Sequence, residues 1–399
     1  MGKEEFIVPG FKAGAVAAGI RYHGRPDLAL IMSDVSAAAA GVFTTNKVQA
    51  APVILSRSHL SGNRARAIVV NSGIANACTG EVGLQRAQST AQIVAAAIGC
   101  SMHEVLVAST GVIGMDLPLE PVANYLPTLV SAVRGDGWFD AARAIMTTDT
   151  VPKIHMIKDS LQDRPFTVLG IAKGAGMICP NMATLLAFVA TDAAISGETL
   201  QALVREETDR SFNRITVDGD TSTNDTLFVL ANGLAGNQPI SDLDSPDGKR
   251  LRRALGEVLL NLAKKIVADG EGATKFVEIT VKGGSSNAAA LLAARTVSNS
   301  PLVKTALFGE DANWGRVLAA LGRAGIDFDP QRVQLFFNGV KLVENGLAVG
   351  EEAEAQVSKI LKKSSFSITI DLGQGKAKET VYTCDLSLDY VKINANYRS

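Results

Sequence analysis

Residues 173–192 read KGAGMICPNMATLLAFVATD. A glycine-rich turn at 173–177 passes through Pro180 into Asn181, Met182, Ala183 and Thr184, and then into the apolar run 185–190. An apolar run this short, bounded by turn residues, reads as a buried strand. A threonine therefore sits where a loop enters a buried element. On residue type alone Thr184 reads as a strand-starting residue. It also permits a sharper chemistry. A threonine hydroxyl is a weak nucleophile at neutral pH and needs an adjacent base. If the Ala183–Thr184 peptide bond is broken by an N-to-O acyl shift, the new α-amine lies beside its own hydroxyl. An α-amine titrates near about 7.7–8.0, close enough to working pH to act as that base. Gly174 and Gly176 lend the backbone the freedom to strain the bond.

Working outward, 28–34 and 66–71 read as buried strands, and strand-like segments return at 276–281, 332–338 and 366–371. Residues 85–99 are alanine-rich and helical. Residues 196–210 open on Ser196 and set Leu200, Leu203 and Val204 on one face. Residues 249–268 carry Leu251, Leu255, Val258, Leu259, Leu262 and Ile266 at helical spacing, closed by Gly270. Helices and strands mix without regular alternation, which predicts an α+β chain and not a doubly wound sheet. The polar stretches 237–249 and 283–287 read as linkers, the second opening a smaller C-terminal domain from about 283.

The chain has 399 residues, 47% hydrophobic and 20% charged, enough for two or three packed domains. With 39 basic and 40 acidic residues and no basic block, it is a poor partner for nucleic acid or an anionic membrane. No apolar run is long enough to cross a bilayer, and the first residues lack a signal-peptide core. A cytoplasmic address is expected. Cys78, Cys100, Cys179 and Cys384 form no CxxC pair and are expected to be reduced and mostly buried. The four histidines have no helical ligand spacing, so no metal site is expected. GxSxG, HExxH and P-loop signatures are absent. DGDTSTND at 218–225 resembles the start of a calcium loop, but Ser222 and Thr223 stand where a ligand and the turn glycine are needed, and it reads as a polar turn. STGVIG at 109–114 reads as a turn whose Thr110 hydroxyl and Gly111 N–H suit an oxyanion. NSGIANACTG at 71–80 follows a strand and reads equally as a pocket lining or a packed loop.

These stretches together resemble the ornithine acetyltransferase family of arginine biosynthesis. The resemblance runs nearly end to end: DLALIMSD, AAAAGVFTTN, NSGIANACTG, STGVIG, IMTTDTVPK, KGAGMICPNMAT, ITVDGDTSTND, DGEGATK, SPLVKTALFGEDANWGR and INANYRS occur in order. It implies self-cleavage at Ala183–Thr184 into an α chain, 1–183, and a β chain, 184–399. It implies Thr184 as acetyl-carrying nucleophile, Thr110 and Gly111 as oxyanion pair, and substrate contacts at Thr147 (with Thr148 as its neighbouring alternative), Lys173, Thr184, Glu271, Asn394 and Ser399. The implied fold is similar to the DmpA-type aminopeptidases: a layered αββα sandwich with a smaller C-terminal α/β domain. The implied assembly is an α2β2 heterotetramer, and the implied reaction is ping-pong acetyl transfer from N-acetylornithine to glutamate with no cofactor. Acetyl-CoA stands as an open second donor. Ile74, Ala312 and Asn396 depart from the family's usual Asn, Pro and acid, and Ile74 is expected to bear on pocket polarity. Two rivals stay open: an N-terminal-threonine amidase or aminopeptidase, and a non-enzymatic amino-acid-binding protein.

Overall fold

The computed structural model describes residues 6–179 and 185–396. Two compact units emerge: residues 6–213 with 220–266, and residues 214–219 with 267–396, within the described span. Ala183, Thr184 and Ser399 lie outside the described residues.

The first unit is built on strands β1 (Phe11–Val16), β2 (Leu28–Phe43), β3 (Arg64–Ile74), β4 (Val105–Val112), β5 (Lys153–Leu161), β6 (Arg164–Lys173), β7 (Leu186–Thr191) and, beyond a short β8 (Ile215–Thr216) of the second unit, β9 (Thr226–Ala231). Its helices are α1 (Ala51–His59), α2 (Gly80–Ile98), α3 (Leu119–Ala132), α4 (Trp138–Ala144), α5 (Gly197–Arg210) and most of α6 (Pro246–Ala268). The strands form one sheet in the order β4-β3-β2-β9-β7-β6-β5, with β1 also on β2. β2 is the hinge of this sheet. Its first half pairs with β1 and β3, its last six residues pair with β9, and its register on β3 breaks between Met32 and Ala37.

Alternation of side chains along the strands then makes four layers. Val69, Val105 and Val107 face α1, α2 and α3. The intervening Ile68, Val70 and Leu106 pack instead against Ile171, Phe188 and Phe228 from the other half of the sheet. On the far side of that half, a Cβ on Gly170 would stand 2.8 Å from Leu262 and 2.9 Å from Val258, so α6 lies flush on β6. The order is helix, sheet, sheet, helix. This is the αββα sandwich, made from one continuous sheet turned back on itself at β2.

The second unit holds β10 (Phe276–Gly284), α7 (Asn287–Ser298), α8 (Pro301–Phe308), α9 (Trp314–Gly322), β11 (Gln334–Phe337), β12 (Val340–Glu344), β13 (Leu347–Ala348), α10 (Glu351–Leu361), β14 (Ser365–Asp371), β15 (Ala377–Cys384) and α11 (Leu388–Asn396). Its mixed sheet runs β13-β12-β11-β14-β10-β15-β8. The unit takes in 214–219 and everything described from Val267 onward, a wider span than one opening near 283. The stretch taken for a linker is half strand: Gly283 and Gly284 close β10, whose Val277, Ile279 and Val281 are core. Likewise 237–249 is shorter as a connection than expected, since α6 begins at Pro246. All four cysteines are free thiols, but only Cys384 is buried and Cys78 is exposed, against the expectation of mostly buried thiols. Among the described residues no helix is long and apolar enough to cross a membrane.

Candidate active site

The site in the first unit forms where the parallel strands β3 and β4 end. Ser72 stands opposite Thr110, and Gly73 opposite Gly111. STGVIG is thus the end of a strand and not a free turn. Gly111 has φ +129°, and a Cβ there would lie 2.2 Å from the carbonyl carbon of Gly73. No side chain fits at this crossing, which is why glycine follows Thr110.

Lys173 is the last residue of β6. Its ammonium donates to Thr110 Oγ1 at 3.3 Å, and both residues are buried. A hydroxyl that accepts from an ammonium keeps its own proton to donate elsewhere. The pair therefore presents one oriented O–H donor and a positive charge. In the sheet Lys173 pairs with Leu186, two positions after Thr184. The described residues on either side of the cleavage motif are pinned to the loop before β9 and to the first residue of that strand. Ile178 bridges Thr221, Thr221 Oγ1 donates to Cys179 O at 3.0 Å, and Thr226 N donates to Leu185 O at 2.9 Å.

Sequence reasoning did not single out Asp149, which organises this corner. Its carboxylate is wholly buried; Oδ1 accepts from Lys153 Nζ at 2.6 Å and from Gly174 N at 2.7 Å, and Oδ2 accepts from Thr147 N at 3.1 Å. Burial works to raise its pKa, but the positive charges of Lys173 and Lys153 and the bonds from Lys153 and Gly174 outweigh it and lower the value to about 2. Two ammonium groups against one carboxylate leave the corner net positive, a field suited to a developing oxyanion. The stretch IMTTDTVPK held the residue; nothing in its residue types signalled that an i, i+4 pair would be buried away from any helix.

Asn224 was read as part of a polar turn, and it does more. Its Nδ2 donates to Ala75 O at 2.6 Å and to Ser109 O at 2.8 Å, tying the loop after β3 to β4. Ser109 Oγ donates to Asn71 Oδ1 at 2.6 Å, so the residue before Thr110 is held from both sides. Ile74, which stands where the family commonly has Asn, is buried among the side chains of the helix-facing core. Ala312 is core in the second unit, and Asn396 is exposed and bonds Lys392 O.

Of the remaining candidates, Thr147 is half-buried and tied by its N–H to Asp149, whereas Thr148 makes no such bond. Glu271 and Asn394 meet within the second unit: Asn394 Nδ2 donates to Glu271 Oε2 at 2.8 Å, and Glu271 is buried. Gly272 follows with φ +67°, where a Cβ would come within 2.5 Å of Tyr390 N, so α11 lies directly over this turn.

A match to the ArgJ family spans residues 12–399. The chain belongs to the ArgJ family. The protein named arginine biosynthesis bifunctional protein ArgJ from Geobacter sulfurreducens is 54% identical over 392 residues, 98% of this chain and 100% of that one. The protein of the same name from Desulfotalea psychrophila is 50% identical over 394 residues, again 98% and 100%. Among solved structures, the arginine biosynthesis bifunctional protein ArgJ of Bacillus halodurans is 38% identical, covers 53% of this chain and 98% of its own, and superimposes with a TM-score of 0.51. The family's relatives thus match across the first unit and the second, with both corners of candidate residues inside the matched span.

Proposed function

We propose that this chain is a glutamate N-acetyltransferase of arginine biosynthesis. It cuts itself between Ala183 and Thr184 and then moves acetyl from N-acetylornithine to glutamate through an acetyl-Thr184 ester. One observation supports the reading: buried Lys173 donates to the Thr110 hydroxyl and pairs in the sheet with Leu186, two positions after Thr184 in the sequence. The Bacillus halodurans chain, about half as long as this one, has the size one product of such a cut would have.

In the cycle, the Thr184 α-amine takes the hydroxyl proton and the oxygen attacks the acetyl carbonyl. The Thr110 hydroxyl and the Gly111 N–H receive the oxyanion. Each such donor contributes roughly 3 kcal/mol. Ornithine leaves, and the glutamate amine then takes the acetyl group from the ester. Thr147 and Lys173 on the first unit, and Glu271, Asn394 and Ser399 from the second half of the sequence, are the proposed substrate contacts. Glu271 suits an ammonium and Lys173 a carboxylate. The mature protein is proposed to be an α2β2 assembly of two cut chains. No cofactor enters these steps.

Intact-mass spectrometry before and after incubation with N-acetylornithine tests the reading. Two fragments meeting at Ala183–Thr184, with one acetyl added to the fragment that starts at Thr184, are expected. A single unmodified chain of 41.8 kDa would overturn it in favour of an amino-acid-binding protein. Acetylation followed only by hydrolysis, with glutamate present, would make it an amidase. Repeating the incubation with acetyl-CoA decides whether that thioester is a second donor.

A further inference from the structure

The loop at residues 17–27 carries two arginines that neither the family motifs nor the proposed cycle employ. Asp27 rivets this loop. Its carboxylate is fully buried and accepts from Ala18 N at 2.7 Å, Gly19 N at 3.3 Å and Ile20 N at 2.7 Å, while its carbonyl accepts from Ser72 N at 2.9 Å. The loop is thereby fixed to the end of β3. Arg21 Nη1 then donates to Gly73 O at 3.3 Å, and among the described residues its only other polar contact is Met115 Sδ at 3.8 Å. Arg25 donates to Met146 O, next to Thr147, and lies 4.0 Å over the Tyr22 ring. Among the described residues neither guanidinium is paired with a carboxylate.

The packing is close. A Cβ on Gly73 would stand 2.9 Å from Arg21 Cβ and 3.1 Å from Tyr22, and a Cβ on Gly111 would strike Gly73. Gly73 and Gly111, partners across β3 and β4, therefore place no side chain between Arg21 and the Thr110–Gly111 corner. An unpaired, exposed arginine held by one long bond to a carbonyl costs little to redirect, and its planar fork matches a carboxylate.

The proposed reaction creates a need for such a group, and the inference rests on that reading. Donor and acceptor share an α-carboxylate and an α-nitrogen. They differ at the end of the side chain, where ornithine carries an ammonium and glutamate a carboxylate, the same number of bonds from the α-carbon. A subsite with one fixed charge would repel one of the two substrates. We propose that Arg21 binds the side-chain carboxylate of the acyl acceptor, turning from Gly73 O toward it in the second half-reaction, with Arg25 holding the loop at Met146. Arg21 is thus a specificity-determining residue that separates an acidic acceptor from its neutral amide.

The test is steady-state kinetics of the full-length, self-cut protein with Arg21→Gln and Arg21→Lys, using N-acetylornithine as donor and either glutamate or glutamine as acceptor. Loss of a charge-assisted bond predicts a KM for glutamate raised about 10-fold to 100-fold in Arg21→Gln. The rise in KM for N-acetylornithine is expected to be much smaller, and the preference for glutamate over glutamine should collapse. Arg21→Lys keeps the charge and should recover part of the preference. A preserved preference in Arg21→Gln overturns the proposal. So does an equal rise in both KM values, which would put Arg21 on the shared α-carboxylate. If the unaltered protein transfers no acetyl group to any acceptor, the reading beneath the proposal fails instead, and that result is visible before any variant is made.

Discussion

Asp149 and Lys153 form an ion pair at 2.6 Å with both side chains wholly out of water, and the same carboxylate oxygen holds the N–H of Gly174 at the start of the cleavage turn. Asp149→Asn leaves the Lys153 charge buried beside a neutral amide. Breaking such a pair costs about 3–5 kcal/mol. Urea unfolding should show a loss of that size, and self-cleavage should slow because Gly174 loses its anchor.

The same pair sets an acid limit. The Asp149 pKa is lowered from 3.8 to about 2 in the folded protein, so its ionised form stabilises the fold above the ordinary carboxylate value. That stabilisation, about 2 kcal/mol, is lost as pH falls from about 4 toward 2. Unfolding free energy measured across this window should drop with pH in the unaltered chain, and the drop should be shallower in Asp149→Asn.

Gly111→Ala and Gly114→Ala form a controlled comparison. Both glycines have positive φ, but only Gly111 has backbone within reach of a Cβ, whereas nothing lies within 4 Å of one on Gly114. Gly114→Ala should cost about 1–2 kcal/mol, the price of the left-handed conformation alone. Gly111→Ala should cost more than that and lower acetyl transfer, because β3 and β4 must part. Equal thermal stability of the two variants would remove the Gly73–Gly111 contact from the account.

Thr184→Ala should remain one chain of 41.8 kDa and transfer nothing. A cut, active Thr184→Ala protein would end the proposed mechanism. Thr110→Val keeps the shape and removes the hydroxyl that Lys173 orients. A fall of about 100-fold to 1000-fold in turnover is expected, with self-cleavage slowed as well.

Asn224→Ala deprives the Ala75 and Ser109 carbonyls of their donor, for a loss of about 1–3 kcal/mol. Because Ser109 precedes Thr110, turnover should fall along with stability. A stability loss with turnover intact would mean that Asn224 supports the fold and not the oxyanion pair.

Much of this was legible in the residues. The short apolar runs at 28–34 and 66–71, bounded by turn residues, are strands, and the apolar stripe from Leu251 to Ile266, repeated at helical spacing, is a helix. Thr110, Gly111 and Lys173 were named from motifs, and the structure brings them together. Three things were hidden. Gly111 looked like a turn residue because glycine usually marks one; here it marks two strands too close for a side chain. Asp149 and Asn224 lay in polar stretches whose residue types gave no sign of burial, since nothing local reveals that distant strands will close over them. The Gly-Ser stretch at 283–287 read as a linker, yet its glycines finish a strand whose partners come from about a hundred residues away.

The strand order carries one last consequence. A cut at 183–184 assigns β1 to β6 to one product and β7 and β9 to the other, but in the sheet β9 and β7 lie between β2 and β6. The second product therefore fills a gap in the middle of the first, with hydrogen-bonded seams on both flanks. Losing the peptide bond does not release either piece, yet it changes what unfolding means. Before the cut, refolding is a unimolecular event independent of concentration. Afterwards the two pieces must find each other again, so recovery from denaturant should depend on dilution. The protein would fold once as a single chain and thereafter persist by never coming apart.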